Sequence, residues 1–228
     1  MEPGKKKIAA IILHLLLFLF GAWGILSAVF NILNCDADHW NWGWKVFKFY
    51  TNDSNIIAGC SGLAIALFHI IHYKKKAPIP TFLLLWQLVG TSMLLLTFLT
   101  VVGTLGQSYT LWALFGFPST LFLHTLSPLL STFLFLFFHR VEIKREWGFL
   151  CLIPVVTYIL VWLFALLALN LPKEMELDPS IVPYFFMAIH AQPWYMTLLW
   201  SLGISFGQLA LGFGILLAKN AIAKKKPD

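Results

Sequence analysis

The sequence predicts an all-α polytopic membrane protein, with one transmembrane domain over residues 1–228 built as a bundle of six helices. Hydrophobic residues make up 59% of the chain and charged residues only 11%, whereas soluble domains carry about a quarter charged residues. Six apolar stretches are each long enough to cross a hydrocarbon core, which takes roughly 20 helical residues. Together they leave no length for a second domain, and the composition excludes an ordinary soluble fold.

The six stretches are apolar throughout and lack the period-2 alternation of membrane barrel strands. The first follows a lysine run, as in a signal peptide, but it is too long for the apolar core of one, so we expect it to remain as a helix. In chain order the predicted spans are Ile8 to Leu33, Phe47 to Tyr73, Thr81 to Leu105, Leu111 to Phe138, Gly148 to Leu169 and Trp194 to Ala218.

The basic residues predict the orientation. With the N-terminus in the cytoplasm, all lysines and arginines except Lys45, Lys48 and Lys173 fall on the cytoplasmic side. Lys and Arg in short flanking loops resist translocation. We therefore expect a protein of the cell membrane with both termini in the cytoplasm, Cys35 outside and Cys151 near the inner face.

The net charge of +6 does not indicate a nucleic-acid partner, because the lysines lie in short runs beside the apolar stretches and form no aromatic-interleaved patch. No Walker loop, nucleophile elbow, dinucleotide fingerprint or H-E-x-x-H motif is present. The histidines are dispersed along the chain. The sequence therefore predicts no cofactor and no metal site.

In hydrocarbon a polar side chain is costly unless it is paired, so polar residues inside the spans are the candidates for function. The first group starts span 2 and comprises Thr51, Asn52, Asp53, Ser54 and Asn55. These residue types also cap helix N-termini, and Asp53 would favour the positive end of the helix dipole. Capping explains one or two of them, and not five in a row.

The second group is His124 with Pro128 in the outer half of span 4. Proline has no N–H, so Pro128 should leave the carbonyl of His124 without its helical partner and kink the helix there. A broken helix at membrane depth is tolerated where a cavity or neighbour satisfies the backbone, which predicts a pocket. A structural histidine bonded to a neighbouring helix is the alternative. His190, outside near span 6, is a possible second partner.

At these two positions the chain resembles a known family. Its motifs, Tyr50 to Asn55 and His124 to Pro128, are similar to those of a bacterial group of six-helix membrane proteins. That group is itself similar to the eukaryotic androgen-induced and androgen-dependent proteins. The resemblance implies an intramembrane hydrolase of fatty acid esters of hydroxy fatty acids, with Thr51 and His124 as the catalytic residues and a membrane lipid or lipid-like ester as substrate.

The implied chemistry is coherent. A threonine hydroxyl is a weak nucleophile and needs a base within hydrogen-bond reach, which a neutral histidine supplies. The amide of Asn52 or Asn55 could stabilise the oxyanion, and Asp53 could orient the imidazole.

Two other classes stay open at this point. One is a proton-responsive transporter or lipid-binding protein that uses Asp53 and His124, and the other is a structural subunit. A proton path should continue inward, where the sequence indicates only His14, Gln87 and Gln208. This one-sided distribution favours the hydrolase.

Overall fold

The computed structural model describes residues 3–30, 43–75, 77–105, 118–139, 141–178 and 181–224. Within these ranges the chain is helical and contains no β-strand. The α-helices are α1 Pro3–Phe30, α2 Tyr50–Ile71, α3 Thr81–Thr100, α4 Ser127–Phe137, α5 Leu152–Leu169, the short α6 Lys173–Glu176 and α7 Trp194–Lys224. Three 3₁₀ segments, Gly43–Lys48, Arg145–Cys151 and Phe185–Met187, and two π-helical segments, Val101–Leu105 and Leu121–Leu126, lie between or next to them.

Five of these helices are long and apolar enough to cross a membrane, which confirms the predicted all-α class with several candidate spans. The described part of the fourth predicted span is shorter than the prediction. The structure describes it from residue 118 onward, and its continuous apolar helix, Leu121–Phe137, is shorter than the other five. Cys35 and the predicted span ends Leu33 and Leu111 lie outside the described residues.

The second span begins later than predicted. Residues Gly43–Lys48 form a 3₁₀ helix, and Phe49 follows with extended backbone (φ −88°, ψ 130°) as the N-cap of α2. The extended residue separates the two helices, so α2 starts at Tyr50 and not at Phe47. The polar residues from Thr51 to Asn55 are therefore the first turn of a helix.

Small residues on α2 let two neighbouring helices approach closely. A Cβ added at Gly62 would lie 2.9 Å from the carbonyl oxygen of His14 on α1. From the other side, a Cβ at Gly90 of α3 would lie 2.7 Å from the Cα of Ala58. Because α3 also contacts α4, α5 and α7, it is the central helix, and its Leu88 is fully buried.

The connection between α5 and α7 folds back over one end of the bundle. It leaves α5 at Asn170, whose left-handed backbone (φ 45°) ends the helix. Further along, Val182 and Met187 are buried against Leu166 of α5. This agrees with the apolar character of residues 181–187, and it brings the loop over the start of α2.

Candidate functional site

The first turn of α2 satisfies some of its own polar groups. The Ser54 hydroxyl donates to the carbonyl of Thr51 at 2.7 Å, so it bonds its own helix. The N-cap position belongs to Phe49, which makes no side-chain capping bond. Neither Asp53 nor Ser54 is the N-cap, although Asp53 lies in the first turn where the helix dipole favours a negative charge.

Asn52 fastens the preceding 3₁₀ helix to α2. Its side-chain amide donates to the carbonyl of Val46 at 2.6 Å, and the residue is buried. Its Oδ1 is buried and has no hydrogen-bond partner in the described part of the chain. A carboxamide carries two N–H donors, so one N–H of Asn52 is left beyond the bond to Val46.

Asn55 joins the two regions that the sequence singled out. Its amide nitrogen donates to the carbonyl of Thr51 at 2.9 Å and to the carbonyl of Leu123, the neighbour of His124, at 3.2 Å. These two bonds use both of its N–H groups. One side chain therefore holds the start of α2 against the segment that carries His124.

The backbone around His124 is a π-helix, in which each N–H bonds the carbonyl five residues back. The N–H of Ser127 accordingly bonds the carbonyl of Phe122. Pro128 follows the π segment as the second residue of α4 and has no N–H to give, so a carbonyl before it, that of Leu123 in the π register or that of His124 in the α register, loses its partner. The expectation that Pro128 frees the carbonyl of His124 stays a prediction, and Asn55 supplies a donor to the carbonyl of Leu123.

Several buried polar atoms without partners lie where the start of α2 contacts the π-helical segment Leu121–Leu126. Nδ1 of His124, Oδ1 of Asn55 and Oγ of Ser127 are buried, and none has a hydrogen-bond partner among the residues that the structure describes. Unpaired buried polar atoms cost free energy, and they are tolerated mainly where they serve a function or bind a water or ligand. We use the name outer polar layer, after the predicted orientation, for Thr51, Asn52, Asn55 and His124.

The loop contributes one residue to the outer polar layer that the sequence did not indicate. The Tyr184 hydroxyl lies near the Thr51 side chain, and its ring packs edge-on against Phe49 and Tyr158. Burial raises the pKa of Tyr184 to about 12, so the phenol is protonated at neutral pH. Between the described residues Thr51 and His124 themselves there is no hydrogen bond.

Asp53 faces a different part of the molecule. It lines a cleft of about 680 Å³ between α2 and α5, together with Tyr50, Ile57 and Tyr158. Thr51 and His124 are not among the residues that line this cleft. Residues two apart on a helix point in different directions, so Asp53 and Thr51 belong to separate faces of α2.

His190 also has a partner of its own. Its Nδ1 lies 2.6 Å from the carboxylate of Glu176, which is buried. The same carboxylate accepts the backbone N–H groups of His190 at 2.7 Å and Ala191 at 3.2 Å. The predicted second partner of the outer residues is thus bonded to a loop carboxylate, and it ties α6 to the segment before α7.

The structure also contains a second group of buried polar residues, at the opposite end of α2. The ring of His139 lies 5.5 Å from that of His14 and stacks at 5.3 Å on that of His69. His14 Nδ1 donates to the carbonyl of Ala10 at 2.7 Å, which leaves Nε2 as the acceptor for the Gln87 amide at 3.3 Å. His14 is thereby held as one neutral tautomer.

Lys219 of α7 completes this group, which we name the inner polar layer: His14, His69, Gln87, His139 and Lys219. The lysine is fully buried and donates to the carbonyls of Phe135 at 2.7 Å and of His139 at 2.6 Å. Burial, reinforced by His14, His69 and Lys219, keeps the pKa of His139 well below its usual value. The sequence did not indicate this layer.

The structure has five helices long and apolar enough to span a bilayer, with buried polar residues toward both ends of the bundle. The protein is therefore an integral membrane protein of the polytopic helical class. Comparison with known proteins gives no narrower assignment. The chain matches no protein-family model, and no curated protein or solved structure is similar enough to count as a match.

Proposed function

We propose that the protein hydrolyses a lipid ester within the membrane, with Thr51 as nucleophile and His124 as general base. The observation that carries this proposal is the Asn55 bridge, because one amide contacts the carbonyl of Thr51 and the carbonyl of the residue next to His124. The unpartnered Nδ1 of His124 supports it further, since a neutral imidazole nitrogen with no other bond is able to accept a proton.

In the proposed reaction the Thr51 oxygen attacks the ester carbonyl carbon, and His124 takes the hydroxyl proton. The ester C–O bond then breaks, and the leaving alcohol receives that proton from the imidazolium. Water, activated by His124, hydrolyses the acyl-threonine intermediate and releases the fatty acid. Each step balances without a cofactor.

The number of N–H groups that are not already hydrogen-bonded favours Asn52 over Asn55 as the donor to the oxyanion. Both N–H groups of Asn55 are used by the carbonyls of Thr51 and Leu123, whereas Asn52 uses one N–H on Val46 and keeps the other. In the proposed reacting conformation the Thr51 hydroxyl turns toward His124, with Tyr184 beside it.

The proposal includes the topology, with six spans and both termini in the cytoplasm of the cell. The lysine bias and the apolar helix Leu121–Phe137 support it. Cys151 is fully buried and is a poor marker, so Lys144→Cys should be used as the inner marker in a background lacking Cys60 and Cys151. Impermeant maleimide on intact cells should label Cys35 and spare the residue introduced at Lys144, and the reverse pattern would invert the topology.

The catalytic proposal is tested with purified full-length protein and a panel of lipid esters that includes fatty acid esters of hydroxy fatty acids. Thr51→Ala and His124→Ala should each lower the rate by about 10²-fold or more, and the double variant should lose little beyond that, because both residues serve one step. Ser54→Ala is the matched control, since this hydroxyl only bonds its own helix. Unchanged turnover in Thr51→Ala, or no turnover of any ester, would refute the hydrolase.

The inner polar layer favours a second candidate, a proton-responsive transporter. Its three packed histidines continue the polar groups toward the inner face, which a proton path requires. In proteoliposomes a transporter would lose proton-coupled flux in His124→Ala and Asp53→Asn while tolerating Thr51→Ala. The hydrolase shows the opposite sensitivity to Thr51.

A further inference from the structure

We propose that the cleft between α2 and α5 binds one membrane phospholipid with a primary-amine headgroup, whose ammonium group pairs with Asp53 and whose acyl chain lies along the apolar wall. The cleft is on a different face of α2 from Thr51. The inference goes beyond ester hydrolysis and stands whether or not the protein is a hydrolase.

The first argument is the Asp53 carboxylate. The side chain is half-buried in the cleft, and within the described ranges no hydrogen bond or ion pair reaches its carboxylate. The helix dipole favours a negative charge at Asp53, but a half-buried carboxylate is stabilised more strongly by an opposite charge or by hydrogen-bond donors. A primary ammonium supplies both, since it carries a positive charge and three donors.

The second argument is the shape and lining of the cleft. Its volume of about 680 Å³ lies within the range of roughly 300–1,000 Å³ usual for ligand sites. Ile56, Ile153 and Val161 line it, and the last two keep 59% and 60% of their surface exposed. In a membrane-spanning chain such a wall opens sideways to the hydrocarbon, where an acyl chain is the available apolar partner.

The third argument is the charge at the same cleft. Lys48 lines it beside Tyr158, whose hydroxyl donates to the Lys48 carbonyl at 2.6 Å and fixes the backbone there. Burial, followed by the charge of Lys45, lowers the pKa of Lys48 to about 8 against the opposing effect of Asp178, so its ammonium is still positive at pH 7 and interacts with Asp178 as well as lining the cleft. A cation and an anion on one cleft complement a headgroup that carries a phosphate and an ammonium. A free metal cation would match Asp53 but neither Lys48 nor the apolar wall.

The test uses the full-length protein reconstituted in vesicles of equal parts phosphatidylethanolamine, phosphatidylcholine and phosphatidylglycerol with the same acyl chains. Lipids retained after gentle detergent extraction are counted by native mass spectrometry. Phosphatidylethanolamine should be retained about tenfold over the other two, since phosphatidylcholine lacks the N–H donors and phosphatidylglycerol lacks the cation. Equal retention of the three lipids in the wild type would overturn the proposal without any variant.

Two substitutions in the cleft and one control substitution outside it sharpen the result. Asp53→Asn should remove the preference for phosphatidylethanolamine and leave total retained lipid nearly unchanged, whereas Glu146→Gln, which removes an equal charge at an exposed site, should keep it. Ala165→Trp fills the cleft and should lower retention of all three lipids. A preference that persists in Asp53→Asn, or full retention in Ala165→Trp, would show that the bound lipid lies elsewhere. Neither outcome bears on ester turnover by Thr51.

Discussion

The two polar layers are built differently. In the outer layer the side-chain hydrogen bonds run to backbone carbonyls, from Asn52 to Val46 and from Asn55 to Thr51 and Leu123. In the inner layer side chains from different helices also contact one another: His14 of α1 meets Gln87 of α3, and Lys219 of α7 reaches the end of α4. Three buried polar atoms of each layer have no partner among the described residues, so the layers differ in their contacts and not in the number of unpaired atoms.

This difference in contacts predicts which property each layer affects. In the outer layer, the proposed nucleophile Thr51 and the unpaired Nδ1 of His124 are the groups on which turnover depends. Hydrogen bonds between helices in a membrane contribute to holding the bundle together. We therefore expect substitutions in the inner layer to act on stability, and substitutions in the outer layer to act on turnover or binding.

The largest effect on stability should come from Lys219→Ala. The change removes two charge-assisted hydrogen bonds to the carbonyls of Phe135 and His139, each worth roughly 1.5–3 kcal/mol, and leaves both carbonyls buried. We expect a loss of about 3 kcal/mol in the free energy of unfolding, measured in detergent through tryptophan fluorescence. Lys224→Ala, at an exposed position, is the control. Equal stability of the two variants would break the proposed division between the layers.

A smaller effect is expected for Gly62→Ala. The new methyl group would lie 2.9 Å from the His14 carbonyl oxygen, which is backbone and has to move with α1. Overpacking of this kind costs about 1–3 kcal/mol. The matched control is Gly203→Ala, which has open space around its Cβ and should be neutral or stabilising by up to about 1 kcal/mol because alanine favours helix. The midpoints of thermal unfolding of the two variants are compared with that of the wild type. A Gly62→Ala variant as stable as the wild type would contradict the close packing of α1 on α2 at this position.

The smallest expected effect is a dependence of stability on pH. Burial and the nearby His14, His69 and Lys219 keep the pKa of His139 well below 6.5, so the folded protein holds this ring neutral. The unfolded chain takes up the proton near 6.5. The unfolded state then binds more protons, so stability is full above about pH 6.5 and falls as the pH decreases below it. His139→Asn should reduce the loss of stability between pH 7 and 5 without abolishing it, because the other buried histidines remain, and a flat profile in the wild type would contradict the buried histidine layer.

The outer layer could be predicted from the sequence because its residues are contiguous. Thr51 to Asn55 interrupt one apolar span, and His124 and Pro128 interrupt another, so each group is visible without knowing the fold. What the sequence could not give was the partner of each atom. Sequence patterns alone assign an α register at His124, so they did not indicate the π segment or the bond from Asn55 to the carbonyl of Leu123.

The inner layer was missed for the opposite reason. Four helices and the segment just after α4 contribute one side chain each, so in the sequence every member looks like an isolated polar residue. The expectation that polar groups thin out toward the inner side is wrong, because His69, His139 and Lys219 join His14 and Gln87 there. The placement of Asp53 and Thr51 on different faces of α2, by contrast, could be predicted from the sequence, because residues two apart in a helix point in different directions.

The π-helical turn at Leu121–Leu126 has a consequence for the tolerance of the chain to changes in length. A π turn is an α turn that holds one additional residue, so every residue before it is rotated relative to those after it. Deleting a single residue between Phe122 and Leu126 would restore the α register and bring the Pro128 ring against the carbonyl four residues back. The same deletion would turn the preceding residues away from α1. This segment should accept exchanges among apolar residues yet reject the loss of any one of them, which is the reverse of what a surface loop allows.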